Sequence, residues 1–373
     1  ALRCNVSGTF NIAIGNNAGR DNISGNCSIY LGESAGLSNT TGVCNIALGS
    51  QAMALSTCGG SNIAIGEHAS RCSKANLNIA IGRRANQNNN EGQVSQLNLA
   101  IGDCALYGGN GGSGSCGNIA LGVAAGLSHT SGLGNIFIGC CAGKSSSCTS
   151  HNVIIGSFAG CANTTGKCNV LIGRLAGQNG TASLNTIVGD AAGQDTSGGC
   201  NAIFGSCAGC DLSTGEYNVA FGAGAGKKLH AGSCNIAIGN ITAGFNNVTG
   251  NSNIMMGSRA GSKLSSGSQN IFLGGSAGRY VTSGARNFVA GTQASYCLTV
   301  GNDNVGIGAC SNRCLSTASN NIAIGKCAGY CNTTRHGNIS IGHSAGYKVT
   351  GQDNISIGNT CLLYTSPSPR DCQ

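Results

Sequence analysis

The sequence has no tryptophan, only two prolines among 373 residues, 4% aromatic residues and 9% charged residues. A typical globular domain carries about a quarter charged residues, so this composition disfavours ordinary globular packing. Disorder is disfavoured as well, because 40% of the residues are hydrophobic and Ile, Leu and Val recur at fixed places, which a low-complexity linker does not show. The composition therefore indicates a regular repeat built with few bulky or charged side chains.

The chain also lacks the groups that several classes of protein require. Its 20 Lys and Arg give a net charge of +8 without any basic run, so no nucleic-acid groove is expected. No stretch reaches the roughly 18 apolar residues of a membrane span. There is no P-loop, G-x-S-x-G or H-E-x-x-H motif, and the 12 Asp and Glu are scattered along the chain. We therefore expect no enzymatic activity, no cofactor and no metal.

A five-residue motif dominates what is present. Asn11 to Gly15 reads Asn-Ile-Ala-Ile-Gly, and the motif returns about every 17 residues as far as Asn354 to Gly358. Its apolar residues are spaced by two, which indicates a short strand ended by a glycine turn. Successive units are expected to stack about 4.8 Å apart, the spacing of strands in a sheet. We predict an all-β chain forming a parallel β-solenoid of about 21 coils over residues 1–360.

Each position of the motif receives a predicted role from this stacking. Ile12 and Ile14 are expected to point into a narrow core, facing the Ala that comes three residues after the motif glycine. The glycine is expected to adopt a backbone conformation that a Cβ would forbid. Asn11 and its counterparts are expected to form a ladder of side-chain amides along the stack.

The residue between the two Ile positions is predicted to point out of the coil, because side chains alternate along a strand. It is nevertheless apolar in most copies, and an exposed apolar stripe is typical of an interface. We therefore predict that parallel copies of the chain associate through this position. The predicted interface residues are Ala13, Phe137, Ile154, Leu171, Ile187, Ile203, Met255, Phe272 and Val289.

The strand motif N-x-[AV]-I-G, followed by a small-residue turn, resembles the head repeats of trimeric autotransporter adhesins. It resembles more closely the N-I-A-I-G-x-x-A-G-x-x-x-T-T-G repeats of fibre proteins encoded by bacteriophages and marine viruses, and the resemblance covers residues 11 to about 358. It implies a left-handed parallel β-roll, a homotrimer, and an extracellular, cell-surface or virion location.

The resemblance leads to a functional hypothesis. The chain would be a structural fibre or stalk segment of a surface adhesin or of a tail-fibre-like virion appendage. Such an appendage would attach to a host-surface or extracellular glycan or protein receptor. An ice- or polysaccharide-binding β-solenoid is the alternative, because a flat, regular face can itself be a binding surface.

The 23 cysteines do not suit a protein of the reducing cytosol. Three pairs are one coil apart, which places their Cα atoms about 5 Å from each other, within the range of a disulfide. These pairs are Cys27 with Cys44, Cys310 with Cys327, and Cys314 with Cys331. Two alternatives stay open: a zinc site formed by the last four of these cysteines as two C-x3-C pairs, and unpaired thiols that fill small core positions.

The C-terminal residues 361–373 differ from the rest of the chain. They contain both prolines and break the repeat. Residues 361–371 resemble the translation of a transposase adapter used in sequencing libraries. We interpret residues 361–373 as non-native sequence and the solenoid as a fragment of a longer chain.

Overall fold

The computed structural model describes residues 1–72, 75–87, 96–108, 115–242, 246 and 248–361. These residues form three-residue strands and turns, without a helix, so the predicted all-β parallel solenoid is confirmed. No helix that could cross a membrane occurs in the described ranges. Most of the segment interpreted as non-native, residues 362–373, lies outside them.

The strands β1 to β21 are Ile12–Ile14, Ile29–Leu31, Ile46–Leu48, Ile63–Ile65, Ile79–Ile81, Leu99–Ile101, Ile119–Leu121, Ile136–Ile138, Val153–Ile155, Val170–Ile172, Thr186–Val188, Ala202–Phe204, Val219–Phe221, Ile236–Ile238, Ile254–Met256, Ile271–Leu273, Phe288–Ala290, Val305–Ile307, Ile322–Ile324, Ile339–Ile341 and Ile355–Ile357.

The chain divides into two compact units, Ala1–Asp190 and Ala191–Gln373. Unit 1 contains β1 to β11 and unit 2 contains β12 to β21. Within each unit, every strand pairs in parallel with the next strand of the chain. The register is one coil: Ile46 pairs with Ile63 in unit 1, and Ile254 pairs with Ile271 in unit 2. Equivalent residues of successive coils therefore lie directly above one another.

The glycine that ends each strand is required by the next coil. Gly156 has a φ of +133°, and a Cβ added there would lie 2.3 Å from the carbonyl oxygen of Gly173. No side chain fits into that space, and the positive φ disfavours every residue except glycine. The prediction made for this position is confirmed.

The predicted directions of the strand side chains are wrong. The middle residue of the strand points into the coil, as Ala47 and Ala64 do with no exposed surface, whereas the two flanking residues face outward. The physical reason is the narrow width of the coil. Its interior has room for one side chain from the strand, together with the ladder Asn and the turn Ala. Since side chains alternate along a strand, an inward middle residue forces both neighbours outward.

Eight of the nine predicted interface residues are therefore core residues, and Ala13 is half-buried. Phe137, Ile154, Leu171, Ile187, Ile203, Met255, Phe272 and Val289 are at most 3% exposed, and Ala13 occupies the same position in the first strand. The eight buried residues offer no surface to a partner chain.

Side-chain volume inside the coils is balanced locally. Tyr30 is fully buried in β2, and a Cβ added at Gly36 would lie 2.2 Å from its ring. In the next coil the middle residue is the small Ala47, and the position equivalent to Gly36 carries the buried Met53. The core is thus filled by pairs of unequal residues, because close packing tolerates neither overlap nor voids.

The predicted asparagine ladder is confirmed. Asn270, which has no exposed surface, donates from its backbone N–H to Oδ1 of Asn253 (3.0 Å) and from Nδ2 to the carbonyl of Gly284 (2.8 Å). Its own Oδ1 accepts the backbone N–H and the Nδ2 of Asn287, both at 3.0 Å. Each amide therefore joins three coils and satisfies backbone groups that would otherwise be buried without partners.

The one copy with serine in place of this asparagine keeps the acceptor. Ser28 Oγ accepts the backbone N–H of Asn45 at 3.1 Å. The Ser28 side chain, which is shorter than that of asparagine, lies beside the hydroxyl of Tyr30. This hydroxyl also accepts a hydrogen bond from Nδ2 of Asn39. The serine thus makes room for a phenol without interrupting the ladder.

Replacing one ladder residue tests this account. In Asn270→Ala, the backbone N–H of Asn287 loses its acceptor, Nδ2 of Asn287 loses one of its two acceptors, and the carbonyl of Gly284 loses a donor. An unsatisfied buried polar group costs about 1–3 kcal/mol, so we expect a loss of about 3 kcal/mol, measured as a lower urea midpoint by circular dichroism. Asn270→Ser should lose less, because it keeps an acceptor. Equal midpoints for Asn270→Ala and the parent would contradict the ladder's role.

A second buried position lies seven residues after the strand glycine. In unit 1 it is often asparagine, and Asn39 and Asn163 each accept the backbone N–H of the residue three positions later, at 2.9 and 2.8 Å. His129 occupies this position at 3% exposure, with Nδ1 2.9 Å from the carbonyl oxygen of Ser146. Burial lowers the pKa of His129.

The buried imidazole predicts a pH dependence of stability. Since the folded state disfavours the charged ring, the unfolded chain takes up a proton first as the pH falls below the ordinary His value of 6.5. The free energy of unfolding should therefore decrease from about pH 6.5 downward.

Urea denaturation at pH 7.5 and pH 5.5 measures this decrease. His129→Asn inserts the residue found at the equivalent position as Asn39 and Asn163 and should reduce the decrease, while the exposed histidines remain as an internal control. An identical pH dependence in both proteins would contradict the assignment.

Candidate functional site

The outward residues of the strands form an extended apolar surface in each unit. We call the first and third residues of all strands in a unit its strand face. In the 21 strands, Thr186 is the one polar residue at these positions, and none is charged. Phe221 is 56% exposed and Met256 is 40% exposed. The others cover each other in part, because each lies against its counterparts in the coils above and below.

The strand face can interact with a partner only by burying apolar area. A three-residue strand is about 10 Å long and adjacent strands are about 4.8 Å apart. The strands of each unit therefore present roughly 500 Å². Scattered exposed apolar residues are ordinary, whereas a continuous apolar surface of this size is often a functional one.

The sequence did contain a signal for this face. The first and third strand positions are large and aliphatic in most copies, as expected for equivalent places on a surface. The middle position ranges from Gly306 through Ala47 to Tyr30 and Phe272. Such variation indicates a core position where a change in side-chain size is balanced by a change in another residue of the core. This balance can be recognised only when the turn residue that packs against the position is known.

The residue before each ladder position borders the strand face, and its character differs between the units. In unit 1, Leu77, Leu97 and Leu184 at this border are each more than half exposed. In unit 2, Arg286 Nε lies 2.7 Å from Asp303 Oδ1 at the equivalent positions. The hydrogen bond from Arg286 lowers the pKa of Asp303. The border is thus apolar in part of unit 1 and polar in this part of unit 2.

The six cysteines predicted to form disulfides are free thiols. Cys27 and Cys44 are exposed at the border of the strand face, in left-handed backbone conformations with φ of 55° and 57°. The N–H of Cys44 donates to the carbonyl of Asn26 at 2.9 Å, in the predicted one-coil register.

The other four cysteines lie in unit 2 and are half-buried. Burial raises the pKa of Cys327, and the neighbouring Cys310 raises it further. Burial likewise raises the pKa of Cys314, with a further contribution from Cys331. Each predicted partner is thus close enough to interact electrostatically, although no S–S bond joins the pair.

The structure does not bring these four cysteines together into a zinc site. In the described parts of the chain, no three His, Cys, Asp or Glu side chains converge in a way that could hold a metal ion. Cys310, Cys314, Cys327 and Cys331 therefore form two separate pairs and not one tetrahedral site.

Comparison with known proteins gives no match: no family model, no curated protein and no solved structure is similar to this chain.

Proposed function

We propose that this chain is a structural segment of an extracellular attachment fibre, in which parallel copies pack through their strand faces. The observation that carries the proposal is the uncharged apolar surface repeated on every strand of both units. The resemblance of the strand motif to adhesin head repeats and viral fibre repeats supports the same function. The fibre belongs to a cell-surface adhesin or a virion appendage and attaches to a glycan or protein receptor.

A second copy of the chain suits the strand face better than an unrelated protein does. The face repeats at the strand spacing of about 4.8 Å, and a second copy carries side chains with the same repeat. The strand face of each unit offers roughly 500 Å², more than half of the roughly 800 Å² per partner of a stable interface. Three parallel copies around one axis bury these faces against one another, as the adhesin resemblance implies.

Self-association is tested by the mass of the protein in solution. Light scattering should give a multiple of the 36.8 kDa chain mass, with three copies expected. Lysine substitution of three stacked face residues, Phe221→Lys, Ile238→Lys and Met256→Lys, should dissociate the oligomer, because an unpaired charge is costly in an apolar interface.

A matched variant controls for the added charge. Thr214→Lys, Ala231→Lys and Thr249→Lys place three lysines at exposed turn positions of unit 2. This variant should keep the mass of the parent protein. A monomeric parent at tens of micromolar, or equal dissociation by both variants, would refute the proposed assembly.

We further propose that the stacked cysteines cross-link adjacent coils in an oxidising environment. The register places the two members of each pair in successive coils, and two pairs interact in the reduced protein. Each bond forms when two thiols pass two electrons and two protons to an oxidant such as oxidised glutathione. Closing a loop of about 17 residues stabilises the fold by roughly 3 kcal/mol in the chain-entropy model.

Mass spectrometry of proteolytic fragments checks these bonds. After incubation with oxidised glutathione, unreduced digests should contain the linkages Cys27–Cys44, Cys310–Cys327 and Cys314–Cys331. For the last two pairs the reaction should be faster at pH 9 than at pH 7, because the thiolate is the nucleophile and their burial raises a thiol pKa. Finding all six residues as free thiols after oxidation would refute the cross-links.

A further inference from the structure

Unit 2 carries a column of alternating basic and aromatic side chains that the strand face does not include. Five residues after the strand glycines of successive coils stand Arg279, Tyr296, Arg313, Tyr330 and Tyr347. We call these five residues the Arg–Tyr column. They are all half-buried, so each has one side in contact with the solenoid and one side in solvent.

The column is held by stacking between successive coils. The Arg313 guanidinium carbon is 5.5 Å from the ring centre of Tyr296 and 5.6 Å from that of Tyr330. Tyr330 and Tyr347 stack with ring centres 4.9 Å apart and planes 3° apart. Arg279 Nη1 donates to the hydroxyl of Tyr296 at 2.9 Å, and Arg313 Nη1 donates to the hydroxyl of Tyr330 at 2.8 Å. These contacts fix the positions of both guanidinium groups.

No carboxylate neutralises the two arginines. The ion pairs of the described residues include neither Arg279 nor Arg313. Nε of each is buried without a hydrogen-bond partner in the described structure, and each guanidinium makes a single hydrogen bond to the protein. Nη2 of each arginine is therefore left to donate to a ligand, whereas the buried Nε is not.

The surrounding segment is strongly basic. Residues 258–348 contain eight Lys and Arg and a single acidic residue, Asp303, which pairs with Arg286. Lys263 and Lys348 stand at the position next to the column, one coil before Arg279 and two coils after Arg313. Since equivalent positions stack at about 4.8 Å, cationic side chains recur every one or two coils, about 5 to 10 Å apart.

We propose that the Arg–Tyr column binds a linear anionic polysaccharide that lies along the stack of coils. Fixed guanidinium groups donate paired hydrogen bonds to sulfate or carboxylate groups, and a spacing of two coils is comparable with the length of a disaccharide. The hydroxyls of Tyr296 and Tyr330 accept from arginine and keep their own protons to donate to sugar oxygens.

Single-stranded nucleic acid fits the column less well. Its bases need open aromatic faces on which to stack. In the column the ring of Tyr296 lies between two guanidinium groups, and that of Tyr330 lies between a guanidinium and a ring. Tyr347 stacks on Tyr330 with one face, so the column does not offer a run of open faces. The column lies at a different position of the coil from the strand face, so binding does not depend on self-association.

Binding of dextran sulfate to the full chain, measured by titration calorimetry, tests the proposal. Uncharged dextran should not bind, and added salt should weaken the binding of dextran sulfate. Polygalacturonate replaces sulfate by carboxylate. Its binding in place of dextran sulfate would support the site and restrict it to carboxylated polymers.

A matched pair of double variants separates the column from general charge attraction. Arg279→Gln with Arg313→Gln should weaken dextran sulfate binding about tenfold or more, because it removes two charge-assisted donors. Arg259→Gln with Arg335→Gln removes the same charge from exposed positions outside the column and should have a much smaller effect. Circular dichroism melting of both variants shows whether they remain folded.

Three results would overturn the proposal. The first is a lack of binding by both anionic polymers, and the second is equal weakening by the two folded double variants. The third is a single-stranded oligonucleotide that binds more tightly than either polysaccharide, which would identify the column as a nucleic-acid surface.

Discussion

The hydrogen bond between the ladder amide of one coil and the backbone of the next is the constraint on which the rest of the structure depends. A coil of this size cannot hide its polar backbone in a thick core, so the buried N–H groups must find partners in the coils above and below. Asn270 meets this need with both ends of its amide. Once every coil is fixed to its neighbours in this way, the register of all other positions follows.

That register explains why functional surfaces appear as columns. A side chain at one coil position lies a single strand spacing from its counterpart in the next coil. Side chains of similar chemistry at that position therefore form a continuous surface along the stack. The strand face adds apolar side chains in this manner, and the Arg–Tyr column adds stacked cations and rings. The buried residues determine the length of the repeat, while the exposed residues at each coil position can vary in charge and polarity.

The period, the parallel strands, the glycine turns and the asparagine ladder could all be predicted from the sequence, because each depends on spacing alone. The direction of the strand side chains could not, since Ile12, Ala13 and Ile14 are all apolar and either alternating set can face the core. The decision depends on the width of the coil, which Ala18 and Asn11 limit from the other walls. For the same reason the sequence pointed to Phe272 as a surface residue, although Gly278 is the residue that makes room for its ring. The Arg–Tyr column was missed because its members differ in type and share only their position in the coil.

The pairing of large with small side chains in the core limits the order in which new coils can be added to such a chain. Tyr30 needs Gly36 in its own coil, and it also needs Gly19 in the coil before it, where an added Cβ would lie 2.7 Å from the ring. A gene duplication that inserted the Tyr30 coil directly after the coil of Met53 would bring two large side chains into one space. Recombination can therefore add whole coils only in orders that respect these neighbours, so the sequence of coils preserves a record of which insertions were compatible with folding.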